Sequence, residues 1–417
     1  MLKMLNDLVD SVEKKIRPQI ESIQKTSYIN HEKVLTAFRD LGITDFCFQG
    51  STGYGYGDYG REKLDALFAK IFKTESAIVR THFVSGTHTI VKAIFGVVRP
   101  GDEIISAVGS PYDTLSDTLG LKNANSPGSL AEWGIGYKEV SLLKDNSPDL
   151  KGIHNSLSDK TKLVMIQRSR GYDERPSLCI DQIKDIITVV KEFNSKIICF
   201  VDNCYGEFVE EKEPTEVGAD LIVGSLIKNP GGGLAPTGGY VAGKKDLVEL
   251  AASSLTAPGL GSDLGASLTD MRILYQGLFM APHIVSQALK GAVFTSCMYS
   301  KLGFEVSPRY SDYRTDIVQA IKMKTPETLE AFCRHLQAVS PIDSNVTPVP
   351  DFLPGYGSKV IMAAGTFVQG STSEFSADGP IKDPYWVFLQ GGLSYEYVRI
   401  CITEITKRLV DDRLIVV

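Results

Sequence analysis

An aspartate and a lysine stand at the ends of two consecutive apolar segments. Ile197-Ile198-Cys199-Phe200-Val201 runs into Asp202, and Asp220-Leu221-Ile222-Val223 runs through Gly224-Ser225-Leu226-Ile227 into Lys228. A third segment, Gly239-Tyr240-Val241-Ala242-Gly243, follows the turn Asn229-Pro230-Gly231-Gly232-Gly233. Such short apolar runs read as buried strands, and in an open parallel sheet ligands bind beyond the carboxyl ends of the strands. An amine and a carboxylate at neighbouring strand ends suit pyridoxal phosphate. Lys228 would hold the aldehyde as a Schiff base, and Asp202 would pair with the protonated pyridine nitrogen, keeping the ring an electron sink. The glycines after Lys228 leave space and let the backbone turn sharply. Taken singly, Asp202 could cap a loop and Lys228 could be a solvated surface residue; the pairing is what points to the cofactor.

The elements that must position this pair are legible around it. Short β-branched runs at Ala77–Val79, Glu103–Ala107, Leu163–Ile166, Ile197–Val201, Leu221–Val223 and Gly239–Ala242 alternate with helical or loop stretches. Apolar strands without clean polar alternation predict an α/β fold with a mostly parallel central sheet covered by helices on both faces. Before this region, Leu5, Leu8, Val9, Val12, Ile16, Ile20 and Ile23 recur at helical spacing within residues 1–40. A glycine- and tyrosine-rich loop follows, Gln49 to Gly60, then an amphipathic helix from Arg61 to Phe72. After the sheet region, an apolar helix is expected over Asp270 to Thr295. The division predicted is a helical arm and loop over 1–60, a large cofactor-binding α/β domain over 61–295, and a smaller C-terminal α/β domain over 296–417.

Composition bounds the reading. The chain has 417 residues, 43% hydrophobic and 23% charged, with a net charge of −6. This is the balance of a globular chain able to bury a core, and it excludes a disordered or fibrous protein. Basic residues come in short pairs such as Lys14-Lys15, so no nucleic-acid or anionic-lipid surface is expected. The seven cysteines (47, 179, 199, 204, 297, 333 and 401) contain no CxxC pair and read as reduced, mostly buried thiols of a cytoplasmic protein. No Cys/His cluster suggests a metal site, no apolar stretch approaches a membrane span, and Met1 to Lys25 lacks the apolar region of a signal peptide.

The run Val201-Asp202-Asn203-Cys204-Tyr205, with Gly218-Ala219-Asp220-Leu221-Ile222-Val223 and Ser225-Leu226-Ile227-Lys228, resembles the Cys/Met-metabolism group of pyridoxal phosphate enzymes. Cystathionine lyases and methionine γ-lyase belong to that group. The chain looks most similar to the branch of methionine γ-lyase-related or aluminium-resistance proteins. The resemblance spans about residues 45 to 405, and Lys228 follows Asp202 by 26 residues. It implies the fold type I pyridoxal-phosphate-dependent transferase fold and a carbon–sulfur lyase acting on a sulfur-containing amino acid, with release of a 2-oxo acid and ammonia. β- and γ-elimination both stay open, as does the substrate.

The resemblance implies further site residues. Val84-Ser85-Gly86-Thr87-His88-Thr89, before a helical run, is similar to the family's phosphate-binding turn, giving Ser85, Gly86 and Thr87. Amides at a helix start attract phosphate in any case, although Ser85 could be an ordinary N-cap. Ser225 matches a phosphate-binding hydroxyl, while Ile227 stands where many relatives carry another. Tyr112, in Pro111-Tyr112-Asp113-Thr114, matches the tyrosine that stacks on the cofactor ring and assists proton transfer. Tyr54 and Tyr56 align with a Tyr-x-Arg pair that reaches the phosphate of a neighbouring subunit, which implies a homo-oligomer, a dimer or tetramer, with a shared active site. Arg399, in Tyr397-Val398-Arg399-Ile400-Cys401-Ile402, resembles the strand arginine that grips the substrate carboxylate with its planar fork.

One turn departs from the family. After Leu163–Ile166 comes Gln167-Arg168-Ser169-Arg170-Gly171-Tyr172 in place of a Glu-Ser/Thr-Pro turn. Arg170 is expected to contact the cofactor and Arg168 to face the substrate. The loop from Gly365 to Ser376 is expected to border the substrate as well.

Particular residues also bear on other functional classes. Gly55-Tyr56-Gly57-Asp58-Tyr59-Gly60 satisfies G-x-G-x-x-G, but no good strand directly precedes it, which disfavours a nicotinamide enzyme. An aminotransferase or aldolase-like enzyme would use the same lysine and aspartate. A pyridoxal-fold protein that has lost catalysis is the remaining alternative, against which the retention of Asp202, Lys228 and Arg399 argues.

Overall fold

Residues along the central strands alternate between two apolar environments. Ile198 and Phe200 pack into one hydrophobic cluster, Cys199 and Val201 into another, and both clusters are buried. A strand apolar on both sides needs cover on both sides. In the computed structural model, which describes residues 2–121, 126–268, 270–353 and 356–416, one seven-stranded sheet runs through these positions. Met1 and Val417, the outer ends of the segments expected from sequence, lie outside the described residues.

Numbered along the chain, the strands of this sheet are β1 (Ser76–Arg80), β2 (Glu103–Ser106), β3 (Gly136–Glu139), β4 (Thr161–Gln167), β5 (Ile198–Asp202), β6 (Leu221–Ser225) and β7 (Gly239–Gly243). Their order is β1-β7-β6-β5-β4-β2-β3; β7 is antiparallel to both neighbours and the remaining pairings are parallel. The short, mostly exposed β3 was not anticipated from sequence, because Gly-Tyr-Lys-Glu carries no apolar run. The helices are α1 (Leu2–Asp40), α2 (Tyr59–Ile71), α3 (Gly86–Val97), α4 (Ser116–Leu119), α5 (Leu150–Ser156), α6 (Ile180–Phe193), α7 (Lys245–Leu255), α8 (Met271–Lys301), α9 (Pro326–Val339) and α10 (Tyr395–Asp411). Helices α3 and α7 cover one face; α2, α6 and the first half of α8 cover the other. In α6 the covering stripe is Ile180, Ile183, Ile186, Ile187 and Val190, all buried at steps of three and four.

A second sheet holds β8 (Val306–Ser307), β9 (Gln319–Lys322), β10 (Val360–Ala363), β11 (Ser376–Pro380) and β12 (Trp386–Gln390), antiparallel throughout in the order β10-β11-β12-β9-β8. One face packs on α9, α10, the C-terminal half of α8 and the start of α1. Leu5, Val9, Val12 and Ile16 are buried in that contact, each worth about 1.5–3 kcal/mol by area. The other face presents Val318, Ala320, Trp386 and Phe388 towards Tyr172 and Tyr205 of the large-sheet side.

Register brings the chemistry together. Gln167 at the end of β4 lies opposite Asp202 at the end of β5, and Asp202 lies opposite Val223 of β6. The segment after Lys228 is locked against α8 by glycines: a Cβ on Gly232 would strike the Gly277 backbone, and one on Gly277 would strike the Gly231 backbone. All seven cysteines are free thiols, six of them buried. Among the described residues no helix is long and apolar enough to cross a membrane.

Candidate active site

The carboxyl ends of β4, β5 and β6 open into a cavity of about 430 Å³. Gly86, Thr87, Tyr112, Arg170, Asp202, Ser225 and Lys228 all line it. The aspartate and the lysine, separated in sequence, therefore share one enclosed space. Burial raises the Asp202 carboxyl, opposed by Lys228 and by hydrogen bonding from Cys204, whose backbone N–H donates to Asp202 Oδ1 at 3.1 Å. Burial works to lower the Lys228 amine, but Cys204, Tyr205, Asp202 and Tyr112 around it more than offset this and raise it well above its usual value. The Lys228 ammonium also stands over the Tyr205 ring, 4.0 Å from its centroid.

The opposite end of the cavity fits a phosphate. It is formed by Gly86 and Thr87 in the first turn of α3, where amide N–H groups are free of intrahelical partners. Gly86 faces Ser225: an added Cβ would lie 3.3 Å from Ser225 Cβ. Ser225 is 1% exposed, and its Oγ has no hydrogen-bond partner among the described residues. A buried hydroxyl left unpaired beside free amides is costly unless something accepts or donates there. Ser85 does not line the cavity; its Oγ accepts from the backbone N–H of His88 at 3.1 Å, the ordinary N-cap role.

Tyr112 lines the wall between these ends. Its hydroxyl donates to Thr87 Oγ1 at 2.9 Å, and burial, then the charge of Asp202, raises its phenol above the usual value. Gln167 fixes its backbone: Gln167 Oε1 accepts from the Tyr112 N–H at 3.0 Å. Arg175 in turn braces that turn, donating to the carbonyls of Gln167 and Ser169 at 3.0 and 2.7 Å. Arg170 lines the cavity and is 2% exposed, with Nη2 donating to Ser307 Oγ at 2.9 Å.

Several expected residues stand elsewhere. Arg168 is fully buried beneath the turn after β5. It donates to Asn203 Oδ1 at 2.7 Å and pairs with Glu210 at 2.8 Å and Glu213 at 3.6 Å, so it faces no substrate. Arg399 lies on helix α10, not on a strand. It is 42% exposed at the side chain and pairs with Glu13 of α1 at 2.8 Å, outside the cavity. The 365–376 loop buttresses the lysine from behind, its Ser373 Oγ donating to the Lys228 carbonyl at 2.8 Å, and contributes no lining residue. Tyr54 and Tyr56 are 74% and 68% exposed on the surface, away from this chain's own cavity. Their loop is nonetheless ordered by Arg61, which donates to the carbonyls of Gly55 and Gly265 at 2.8 and 2.7 Å.

Sequence reasoning missed part of the lining. Tyr205, Tyr172, Tyr356 and Lys382 belong to the cavity. Tyr172 stacks on Tyr356 at 5.6 Å and meets Phe388 at a tilt, 5.4 Å between ring centres, joining the two sheets at the cavity. Tyr205 follows Asp202 by three residues, a spacing that could have marked it. Tyr356 and Lys382 carry no local signal.

The sequence profile of the family described as methionine gamma-lyase matches residues 5–410. The chain belongs to this family. A Bacillus subtilis protein named uncharacterized protein YnbB is 49% identical over 400 residues, covering 96% of this chain and 94% of its own. The crystal structure named carbon-sulfur lyase involved in aluminum resistance, from Clostridium novyi, superposes with a TM-score of 0.94 at 48% identity. It covers 98% of this chain and 96% of its own. L-Methionine gamma-lyase of Pseudomonas putida is 25% identical over 236 residues, 56% of this chain and 53% of its own. The fold is that of the pyridoxal-phosphate-dependent fold type I enzymes, shared at TM-score 0.61 and 14% identity with the pyridoxal-5'-phosphate dependent protein YhfS of Escherichia coli, over 93% of this chain and 97% of that one.

Proposed function

We propose that this chain is a pyridoxal-phosphate-dependent carbon–sulfur lyase, acting on a sulfur-containing amino acid of the cystathionine or methionine type and releasing a 2-oxo acid and ammonia. The observation that carries the reading is Lys228 and Asp202 on the wall of one cavity that ends in the Gly86–Thr87–Ser225 cradle. Bound there, the cofactor supplies an aldehyde for an amine and an electron-poor ring that takes up charge from the substrate's α-carbon.

The chain's residues do the rest. The amides at the start of α3 and the Ser225 hydroxyl hold the phosphate. The Asp202 carboxylate, buried and hydrogen-bonded from Cys204, keeps the proton on the pyridine nitrogen. Tyr112, kept neutral by burial, stacks on the ring. Arg170 contributes a cation beside it. Lys228 Nζ removes the proton at the α-carbon, and for a leaving group on the γ-carbon it also moves protons at the β-carbon. The paired rings of Tyr172 and Tyr356 form part of the cavity wall. The reading includes a homo-oligomer in which Tyr54 and Tyr56 reach a neighbour's phosphate; their exposure on a loop ordered by Arg61 supports it.

The test is direct. The purified protein is expected to be yellow, with a visible band removed by borohydride, and Lys228→Ala is expected to lack both band and turnover. With cystathionine, pyruvate marks β-elimination and 2-oxobutyrate marks γ-elimination; cysteine, methionine and homocysteine complete the panel. Full activity in Lys228→Ala, or a colourless protein that does not take up the cofactor, overturns the reading.

A further inference from the structure

We propose that Lys382 binds the α-carboxylate of the substrate. The proposal rests on the lyase reading above and deepens it, since an amino acid bound through its amine at Lys228's position still needs a partner for its other charge. Arg399 cannot be that partner, being held on α10 against Glu13 outside the cavity.

Three cations line the cavity: Lys228, Arg170 and Lys382. Lys228 is committed to the amine exchange. Arg170 directs two donors to one residue, Nη2 to Ser307 Oγ at 2.9 Å and Nη1 to the Ser307 carbonyl at 3.4 Å; its Nε has no partner among the described residues, and its guanidinium is buried in the wall. Lys382 differs on each count. Its side chain is exposed, and among the described residues it has no carboxylate partner. Its backbone is nevertheless fixed: the Lys382 N–H donates to the Pro380 carbonyl at 2.9 Å, and the Tyr385 N–H donates to the Lys382 carbonyl at 2.8 Å. A firm backbone fixes the region that the uncommitted ammonium can reach, and ordering the side chain on an anion costs about 0.5–1.5 kcal/mol.

Its place also suits the substrate. Lys382 follows β11 of the small sheet, whereas Tyr172 and Asp173 at the same mouth follow β4 of the large one. These three residues also line a second cavity of about 90 Å³, so Lys382 borders both spaces. A carboxylate held there lies across the seam between the two sheets while the substrate's amine end points inward to Lys228. Lys382 thus orients the α-carbon rather than touching its proton.

The experiment compares Lys382→Gln and Lys382→Arg with the unaltered holoenzyme by spectral titration with L-alanine, which has one carboxylate and no leaving group, and with L-alaninamide, which has none. Losing an ion-paired hydrogen bond is expected to weaken L-alanine binding in Lys382→Gln about 10- to 100-fold. The resting visible band and L-alaninamide binding should be unchanged, and Lys382→Arg should recover most of the loss. Unchanged L-alanine binding in Lys382→Gln overturns the proposal, as does equal weakening for acid and amide, which would mark a structural role. The lyase reading fails separately, through an unaltered protein that shows no lysine-bound visible band.

Discussion

The Lys228 ammonium rests 4.0 Å from the centre of the Tyr205 ring. Tyr205 reaches that place through a left-handed backbone, φ 71°, which costs a non-glycine residue about 1 kcal/mol or more. The strain aims an aromatic face at the amine that the proposed chemistry needs. A cation over a desolvated ring gains about 0.5–2 kcal/mol. Tyr205→Leu is therefore expected to lower the pH midpoint at which the apoprotein takes up pyridoxal phosphate, by up to about one unit. Tyr205→Phe should leave the midpoint in place; a midpoint unmoved in Tyr205→Leu would remove the ring from this role.

Arg168 is expected to matter for stability and not for substrate. Its replacement by methionine leaves Glu210 and Glu213 without their buried cation, and breaking such a pair costs about 3–5 kcal/mol. Denaturant unfolding should show that loss, while the folded fraction keeps its KM. A raised KM with unchanged stability would restore the substrate role expected from sequence.

Arg399→Ala should be nearly silent. The pair with Glu13 is half-exposed, and such pairs contribute about 0–1 kcal/mol. Steady-state kinetics are expected to give KM and kcat within about twofold of the unaltered enzyme. A KM increase of tenfold or more would return Arg399 to the site.

Glu207 sits fully buried behind the lysine loop, accepting from the Tyr240 hydroxyl at 3.0 Å, with its other oxygen unpartnered among the described residues. Burial raises its carboxyl from 4.5 to about 8. The folded state thus binds this proton more tightly than the unfolded chain, so stability falls as pH rises from about 4.5 to about 8 and is level above that. Glu207→Gln keeps an acceptor for Tyr240 and removes the titration. Between pH 6 and 9 the unaltered protein should lose about 3 kcal/mol more than the variant in denaturant melts. Parallel losses in the two proteins would show that Glu207 titrates normally.

Those parts of the site that arise within one strand-and-turn unit were legible in the sequence. Asp202 and Lys228 each close an apolar strand, Gly86 and Thr87 open a helix, and Ser225 precedes the lysine by three residues. The two arginine assignments show where such reading stops. Arg168 and Arg170 are two residues apart, so a strand would place them on one face; β4 ends at Gln167, and the following turn sends one under the β5 turn and the other into the cavity. In Tyr397–Ile402 a short β-branched run fits strand and helix equally. Only the longer series Val398, Cys401, Ile402, Ile405 and Leu409, all buried, reveals the helical period that turns Arg399 outward.

The sequence by itself determined the strand-end placing of Asp202, the helix start at Gly86 and Thr87 and the covered sheet, because local propensity and hydrophobic period govern those elements. The tertiary structure decided which cations face the cavity and what closes it. Tyr356 and Lys382 come to the mouth because the second sheet packs its apolar face, through Phe388, against Tyr172. That contact joins segments more than 200 residues apart, and burial of apolar surface between distant elements leaves no periodic mark in either segment alone.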